Sequence, residues 1–309
     1  MCVRAPMRFP PLLTPGSRVA LVAPSGPLRD ERDLQHALDN VRAFGWDPVV
    51  GEHVLARDGY LAGTDALRLA DLERFAADDS IDAVWCIRGG YGAMRLLDAI
   101  DYDAWCRRPR ALIGYSDITA LHAAIGARAE LVTFHGPTAR ARLTPLTRNS
   151  FESTVASGTP VTISSTHTTT LRGGRARGRL AGGNLALVAA LMGTPYELDL
   201  DGAILVLEDV GEAVYRLDRM LTQLRLAGAL TGVAGIAFGH FTEIPCNTTD
   251  TTDTDRPLDR LLAEIAAACG VPCVANFPIG HIDDQVTLPL GAVAELDADN
   301  RTLVIERSS

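Results

Sequence analysis

DAVWCIRGGYG (residues 82–92) decides how this chain is read. Ala83–Ile87 are apolar in succession, with no polar alternation. Such a run reads as a strand buried on both faces, the signature of a parallel sheet. It stops at a glycine-rich turn, Arg88-Gly89-Gly90-Tyr91-Gly92, and a short helix around Met94–Ile100 follows. Working outward, the same alternation recurs. Upstream, Ser17–Ala23 (SRVALVA) is a buried strand closed by Pro24-Ser25-Gly26-Pro27. Leu34, Ala37, Leu38, Val41 and Phe44 then fall at helical spacing, and Asp47–Val54 reads as a further strand. Thr64 can N-cap a helix that turns Leu67, Ala70 and Phe75 inward. Downstream come a strand at Ala111–Tyr115, a helix from Asp117 to about Gly126, and a strand at Leu131–His135. Strands alternating with helices of this length predict an α/β fold: a mostly parallel sheet flanked by helices, over residues 1–140.

The pattern changes near Ala139. Residues 141–178 lose the helical alternation and carry a Thr/Ser run and an Arg/Gly run, so they read as a connection with edge strands. A second, smaller domain is expected over residues 179–309, α+β and β-rich toward its end. Within it Asn184 can cap a helix through Met192, and Ala203–Leu207 is a strand. A long amphipathic helix carries Val214, Leu217, Met220, Leu221, Leu224 and Leu226, and Val233–Phe238 is another strand. Thr248–Asp255 is a Thr/Asp loop with no apolar anchor.

The 309 residues are 47% hydrophobic and 22% charged, which excludes disorder and leaves ample material for two cores. A net charge of −9 argues against a nucleic-acid partner. No apolar run approaches the roughly 18 residues that cross a bilayer, so no membrane role is expected. Met1–Pro6 has no apolar stretch of the secretory type, which makes the cytoplasm the default location. The six cysteines show no C-x-x-C spacing, which argues against a structural zinc site, and with no metal-ligand cluster in the sequence no metal or cofactor is expected. Cys86 reads as a core residue, and Cys269-Gly-Val-Pro-Cys273 as a helix-to-strand turn.

Three places could carry chemistry. Gly114-Tyr115-Ser116-Asp117 lies where a strand meets a helix, so a Ser116 hydroxyl would stand above unpaired backbone N–H groups able to receive an oxyanion. The alternative is that Ser116 only N-caps the helix. The Arg88–Gly92 turn lets backbone approach an anion closely, but it matches neither the P-loop nor G-x-G-x-x-G. Glu208-Asp209 end a strand, where one carboxylate could orient a histidine and both could be turn chemistry. Of seven histidines, His135, His240 and His281 each lie just past a strand end, and pattern alone does not choose among them.

Seven segments in order resemble the LD-carboxypeptidase family, the murein tetrapeptide carboxypeptidases, whose relatives include the microcin-C immunity peptidases. They are VALVAPSGP (19–27), AVWCIRGGYGAMRLLDAID (83–101), LIGYSDITALH (112–122), TFHGPTA (133–139), residues 182–221, GIAFGHF (235–241) and VANFPIGH (274–281). The resemblance implies a serine peptidase with a Ser116–Glu208–His281 triad, drawn from both domains and so placed in the cleft between them. It further implies an oxyanion hole from the backbone of Asp117 and of the Gly89-Gly90 turn. Arg88 and Gly89 are the expected receptors of the substrate's terminal carboxylate. The implied substrate is a muropeptide ending in an L-diamino acid and D-alanine, cut at that L,D bond in cell-wall recycling in the cytoplasm, by a homodimer. The short connection between domains resembles the murein branch more than the microcin branch. A peptidyl-nucleotide immunity peptidase and a non-catalytic α/β ligand-binding module are the alternatives.

Overall fold

In the computed structural model, residues 7–158, 160–245 and 257–307 are described, and the Thr248–Asp255 loop lies outside them. In chain order the first elements are β1 (Arg18–Val22), α1 (Glu31–Ala43), β2 (Asp47–Val50), α2 (Asp65–Ala77), β3 (Ala83–Cys86), α3 (Tyr102–Arg107) and β4 (Ala111–Gly114). Next come α4 (Thr119–Ala129), β5 (Thr133–His135), α5 (Pro145–Glu152), β6 (Val161–Ser164), β7 (Thr169–Arg172), β8 (Arg175–Asn184), α6 (Leu185–Ala190) and β9 (Ala203–Val210). The chain closes with α7 (Val214–Leu226), β10 (Gly235–Thr242), α8 (Leu258–Cys269), β11 (Cys273–Ala275), β12 (Leu288–Leu290), β13 (Val293–Asp297) and β14 (Thr302–Ile305). Two units result. The first comprises residues 1–159 with 286–292 and 307–309, the second residues 160–285 with 293–306. Residues 141–158 thus belong to the first unit and 160–178 to the second.

The first unit is a six-stranded sheet in the order β12-β5-β4-β3-β1-β2. All neighbours are parallel except β12, which returns antiparallel to β5. As the apolar runs demand, β1, β3 and β4 are buried nearly throughout. Their core gathers Leu21, Trp85, Ile113 and Phe134 with Phe151 of α5, whose ring stacks on Trp85 with centroids 4.7 Å apart. A parallel sheet brings the carboxyl ends of its strands to one edge, so the turns after β1, β3 and β4 become neighbours.

Three details differ from the sequence reading. The segment read without helical alternation contains α5, with Thr144 as N-cap and Pro145 at its start. Only Thr147 and Phe151 of its eight residues are buried, too few to show a period. The short helix after the glycine turn is a 3-10 helix, Ala93–Ala99. On α2, Thr64 caps as expected by accepting from the Leu67 N–H. The buried face, however, is Arg68, Asp71, Leu72, Phe75 and Ala76, with Ala70 exposed. Arg68 and Asp71 can turn inward because partners wait there. Arg68 donates to the carbonyls of Pro24 and Gly92, and Asp71 accepts from the N–H groups of Glu52 and His53.

The second unit is an eight-stranded mixed sheet, β6-β14-β13-β8-β9-β10-β11-β7. Its central strands β8, β9, β10 and β11 are parallel, and antiparallel strands flank them. Leu205, Leu207, Ile236 and Phe238 of the sheet pack with Leu217, Leu221 and Leu224 of α7. Asn184 caps α6, its Oδ1 accepting from the Leu187 N–H at 3.3 Å.

Candidate active site

In the first unit the site residues lie on the three neighbouring turns. Ser116 follows β4 and opens a 3-10 turn, Ser116–Ile118, that runs into α4. Its φ is +65°, in the left-handed region that a non-glycine residue enters at a cost of about 1–3 kcal/mol. Neither the 3-10 turn nor α4 has a side-chain cap, so the Ser116 hydroxyl is not spent on capping. A strained serine between a strand and a helix is the geometry of a nucleophile elbow, reached here without the second glycine of G-x-S-x-G. What replaces that glycine is Gly89 on the neighbouring turn. A Cβ on Gly89 would stand 3.0 Å from Ser116 Cβ and 3.3 Å from its Oγ. The bare backbone of the Gly89-Gly90 turn therefore lies against the serine.

The turns are held in register by buried polar groups. The Gly26 N–H donates to the Gly89 carbonyl at 3.0 Å. Gly90, with φ of +116°, approaches Gly26 so closely that a Cβ would sit 3.0 Å from the Gly26 Cα. Asp117 is almost fully buried, and its Oδ2 accepts from the Ala93 N–H at 2.8 Å. Burial raises its carboxyl pKa, while the Ser25 hydroxyl and the N–H groups of Ala93 and Gly92 pull it down. One carboxyl thus joins the serine turn to the turn after β3. Arg88 donates to the Pro27 carbonyl, and burial lowers its pKa. Beneath the serine turn, His122 Nε2 donates to the Gly114 carbonyl at 2.8 Å, and burial depresses this imidazole to about 4.

In the second unit Glu208 and His281 come together. Glu208 is fully buried near the end of β9, and its Oε2 accepts from His281 Nδ1 at 2.8 Å. A carboxylate can only accept, so the ring proton sits on Nδ1 and the lone pair of a neutral imidazole is on Nε2. Local backbone fixes the ring's position. The segment after β11 is tied to β10 by the Phe277 N–H on the Phe238 carbonyl, at 3.0 Å. The His240 N–H on the Ile279 carbonyl, at 2.9 Å, makes the second tie. Gly280, with φ of +112°, passes over Glu208 where a Cβ would meet the Glu208 Cβ at 3.0 Å and Oε2 at 3.1 Å.

Asp209 faces the other way, as strand alternation requires. Its Oδ1 accepts from Asn184 Nδ2 and its Oδ2 from the Ala186 N–H, each at 2.9 Å, so it braces the start of α6. Burial raises its pKa, and these hydrogen bonds oppose the rise. His240 is half-buried, with a pKa lowered by burial and by His167. His135 is buried at the end of β5 against the rings of Tyr115 and His122. Of the three strand-end histidines, His281 is the one with a carboxylate on its Nδ1 among the described residues. The sequence reading missed the carboxyl of Asp117 as a brace. Its position beside Ser116 was the signal available.

The LD-carboxypeptidase N-terminal domain matches residues 19–136, and the LD-carboxypeptidase C-terminal domain matches residues 177–296. A Streptomyces coelicolor protein that carries a carboxypeptidase name is 45% identical, over 96% of both chains. The murein tetrapeptide carboxypeptidase of Pseudomonas aeruginosa is 38% identical, over 91% of this chain and 94% of its own. Among solved structures, the muramoyltetrapeptide carboxypeptidase of Oxalobacter formigenes superposes with a TM-score of 0.83. That structure is 30% identical and covers 94% of this chain and 99% of its own.

Proposed function

The chain belongs to the LD-carboxypeptidase family, and on that premise we propose that it is a serine peptidase that removes terminal D-alanine from murein tetrapeptides. The bond cut joins the L-diamino acid to D-alanine. The observation that carries this reading is the buried Glu208 carboxylate on His281 Nδ1, which leaves Nε2 to act as a base. In this mechanism Ser116 Oγ attacks the scissile carbonyl carbon while His281 Nε2 takes its proton. Glu208 stabilises the imidazolium that forms. The developing oxyanion is received by the backbone N–H of Asp117 and that of Gly90. Collapse breaks the C–N bond, and the imidazolium gives its proton to the departing amine of D-alanine. Water, deprotonated by the same imidazole, then attacks the acyl-enzyme and releases the shortened peptide. Arg88 and Gly89 receive the carboxylate of the leaving D-alanine.

The strain at Ser116 supports the nucleophile assignment, because strain of this kind persists where surrounding structure holds a reactive group in place. Recovery of wall fragments in the cytoplasm, by a homodimer, is the setting this activity fits. The test is release of D-alanine from a tetrapeptide ending in an L-diamino acid and D-alanine, run beside the peptide with L-alanine at the end. The account expects turnover of the L,D peptide and little of the L,L one. Comparable rates on both would contradict it.

A further inference from the structure

The first unit holds a group of cations that the mechanism above leaves largely unused. The segment Pro24–Asp33 leads from β1 into α1, and four arginines from four places in the chain meet there. Arg88 donates to the Pro27 carbonyl, and Arg57 Nη2 donates to the Leu28 carbonyl at 2.8 Å. Arg140 Nη1 donates to Asp33 Oδ1 at 3.2 Å, and Arg29 lies within the segment, its backbone N–H on Asp33 Oδ2 at 2.9 Å. Asp33 is the carboxylate these contacts share, whereas nearby Asp30 is engaged by its own neighbour Arg32.

With Asp30 and Arg32 paired, Arg29, Arg57, Arg88 and Arg140 stand against Glu31 and Asp33, so the local balance is positive in a chain whose net charge is −9. Apart from burial, the charges that weigh on Arg88 are Arg140, Arg29 and Arg57, opposed by Asp33. Like charges gathered at one place repel, and carbonyl oxygens do not neutralise them. An incoming anion does. The group also adjoins the nucleophile's turn, because Gly26 bonds to the Gly89 carbonyl and Gly89 lies against Ser116. A single terminal carboxylate, assigned above to Arg88, does not match Arg29 or Arg57, and among the described residues neither guanidinium has a carboxylate within salt-bridge distance. Arg29 and Arg57 are exposed, so their guanidinium forks are accessible to a bidentate acid.

We propose that Arg29, Arg57 and Arg140 form a subsite for a second carboxylate of the substrate, so that peptides with a free side-chain carboxylate are selected over their amidated forms. The substrate class is then a polyacidic peptide. The inference takes its substrate from the carboxypeptidase reading and its location from the arginines.

Two tetrapeptides that differ only in one side-chain group, carboxylate or carboxamide, test it on the full-length protein. Binding is measured by calorimetry on Ser116→Ala, and turnover on the unaltered chain. The acid form should bind roughly tenfold or more tightly, the worth of one charge-assisted hydrogen bond. The double variant Arg29→Gln with Arg57→Gln, in the Ser116→Ala background, should bring that ratio close to one. Arg42→Gln, at the other end of α1, should preserve it. Equal binding of the two peptides, or a preference that survives the double variant, overturns the subsite. Preference retained in binding with no D-alanine released by the unaltered chain overturns the carboxypeptidase reading instead and leaves the acidic-peptide site standing.

Discussion

Glu208→Gln alters one buried group and asks whether its charge governs His281. Glu208 is 0% exposed, its Oε2 accepts from His281 Nδ1 at 2.8 Å, and its Oε1 has no hydrogen-bond partner among the described residues. A glutamine there has two orientations. With its oxygen toward His281 the productive tautomer survives, but the amide NH2 then occupies the position of Oε1. Burying that donor unpaired costs about 1–3 kcal/mol. With its NH2 toward Nδ1 the donor is satisfied, but the ring proton moves to Nε2 and the imidazole cannot accept from a hydroxyl. The unproductive orientation is thereby favoured by roughly 5- to 150-fold. Loss of the negative charge behind the imidazolium removes about another 1.5–3 kcal/mol. The turnover number should therefore fall about 100- to 10,000-fold, while the melting temperature changes little. Initial rates of D-alanine release, read by a coupled D-amino-acid oxidase, measure the first quantity and a thermal melt the second.

Asp209→Asn is the control, one residue along the same strand and on its opposite face. Its three acceptor contacts brace Asn184, Ala186 and Val210. An amide there must turn an N–H toward another donor, so stability should drop by about 1–3 kcal/mol while the turnover number stays within a few fold. Glu208→Gln activity within about tenfold of the unaltered chain would refute the reasoning. So would an Asp209→Asn loss of turnover as large as that of Glu208→Gln with no loss of stability.

Gly280→Ala should be costly in both respects. Its Cβ would meet Glu208 Cβ and the His240 carbonyl at 3.0 Å, on backbone with φ of +112°. Chemical denaturation should register a loss of about 2–4 kcal/mol, with D-alanine release reduced at the permissive temperature. Gly89→Ala, which would press on Ser116, should lower turnover at least about tenfold with a smaller loss of stability. His122 supplies a pH dependence. Its folded pKa is depressed to about 4 from 6.5, so between these values the unfolded chain binds the proton and the folded chain does not. Stability should fall by about 3 kcal/mol on acidification through that window and change no further on this account below it. In His122→Gln this part of the acid slope should vanish; an unchanged slope would assign it elsewhere.

The parallel strands were legible because burial on both faces leaves no polar alternation, as in VALV, AVWC and ALIG. Their adjacency at one sheet edge then follows from parallel topology, which is why the turns after them could be read together. The Asn184 and Thr64 caps were legible for a local reason, since each bonds to an N–H three residues on. What was not legible depends on partners far along the chain. Arg68 and Asp71 were not among the residues read as inward, because charge on a helix normally faces out, and only distant carbonyl and N–H groups reverse that. Ser116 could be read as a cap or a nucleophile from its place between strand and helix. Neither its positive φ nor the close approach of Gly89 is encoded by a local pattern. Likewise Glu208-Asp209 could be split by strand alternation, but which of the two meets His281 depends on the Phe277–His281 segment docking on β10.

The central claim is that Ser116 and His281 act as one catalytic unit on an L,D peptide, and a double-mutant comparison of D-alanine release addresses it most directly. Ser116→Ala, His281→Ala and the protein carrying both are assayed at one substrate concentration below saturation, each confirmed folded by circular dichroism. Residues that work as a unit lose nearly everything with the first removal, so both single variants should reach a similar low rate and the double variant should fall no lower. If the two losses multiply in the double variant, or if Ser116→Ala keeps a rate within about tenfold of the unaltered chain, the claim is contradicted.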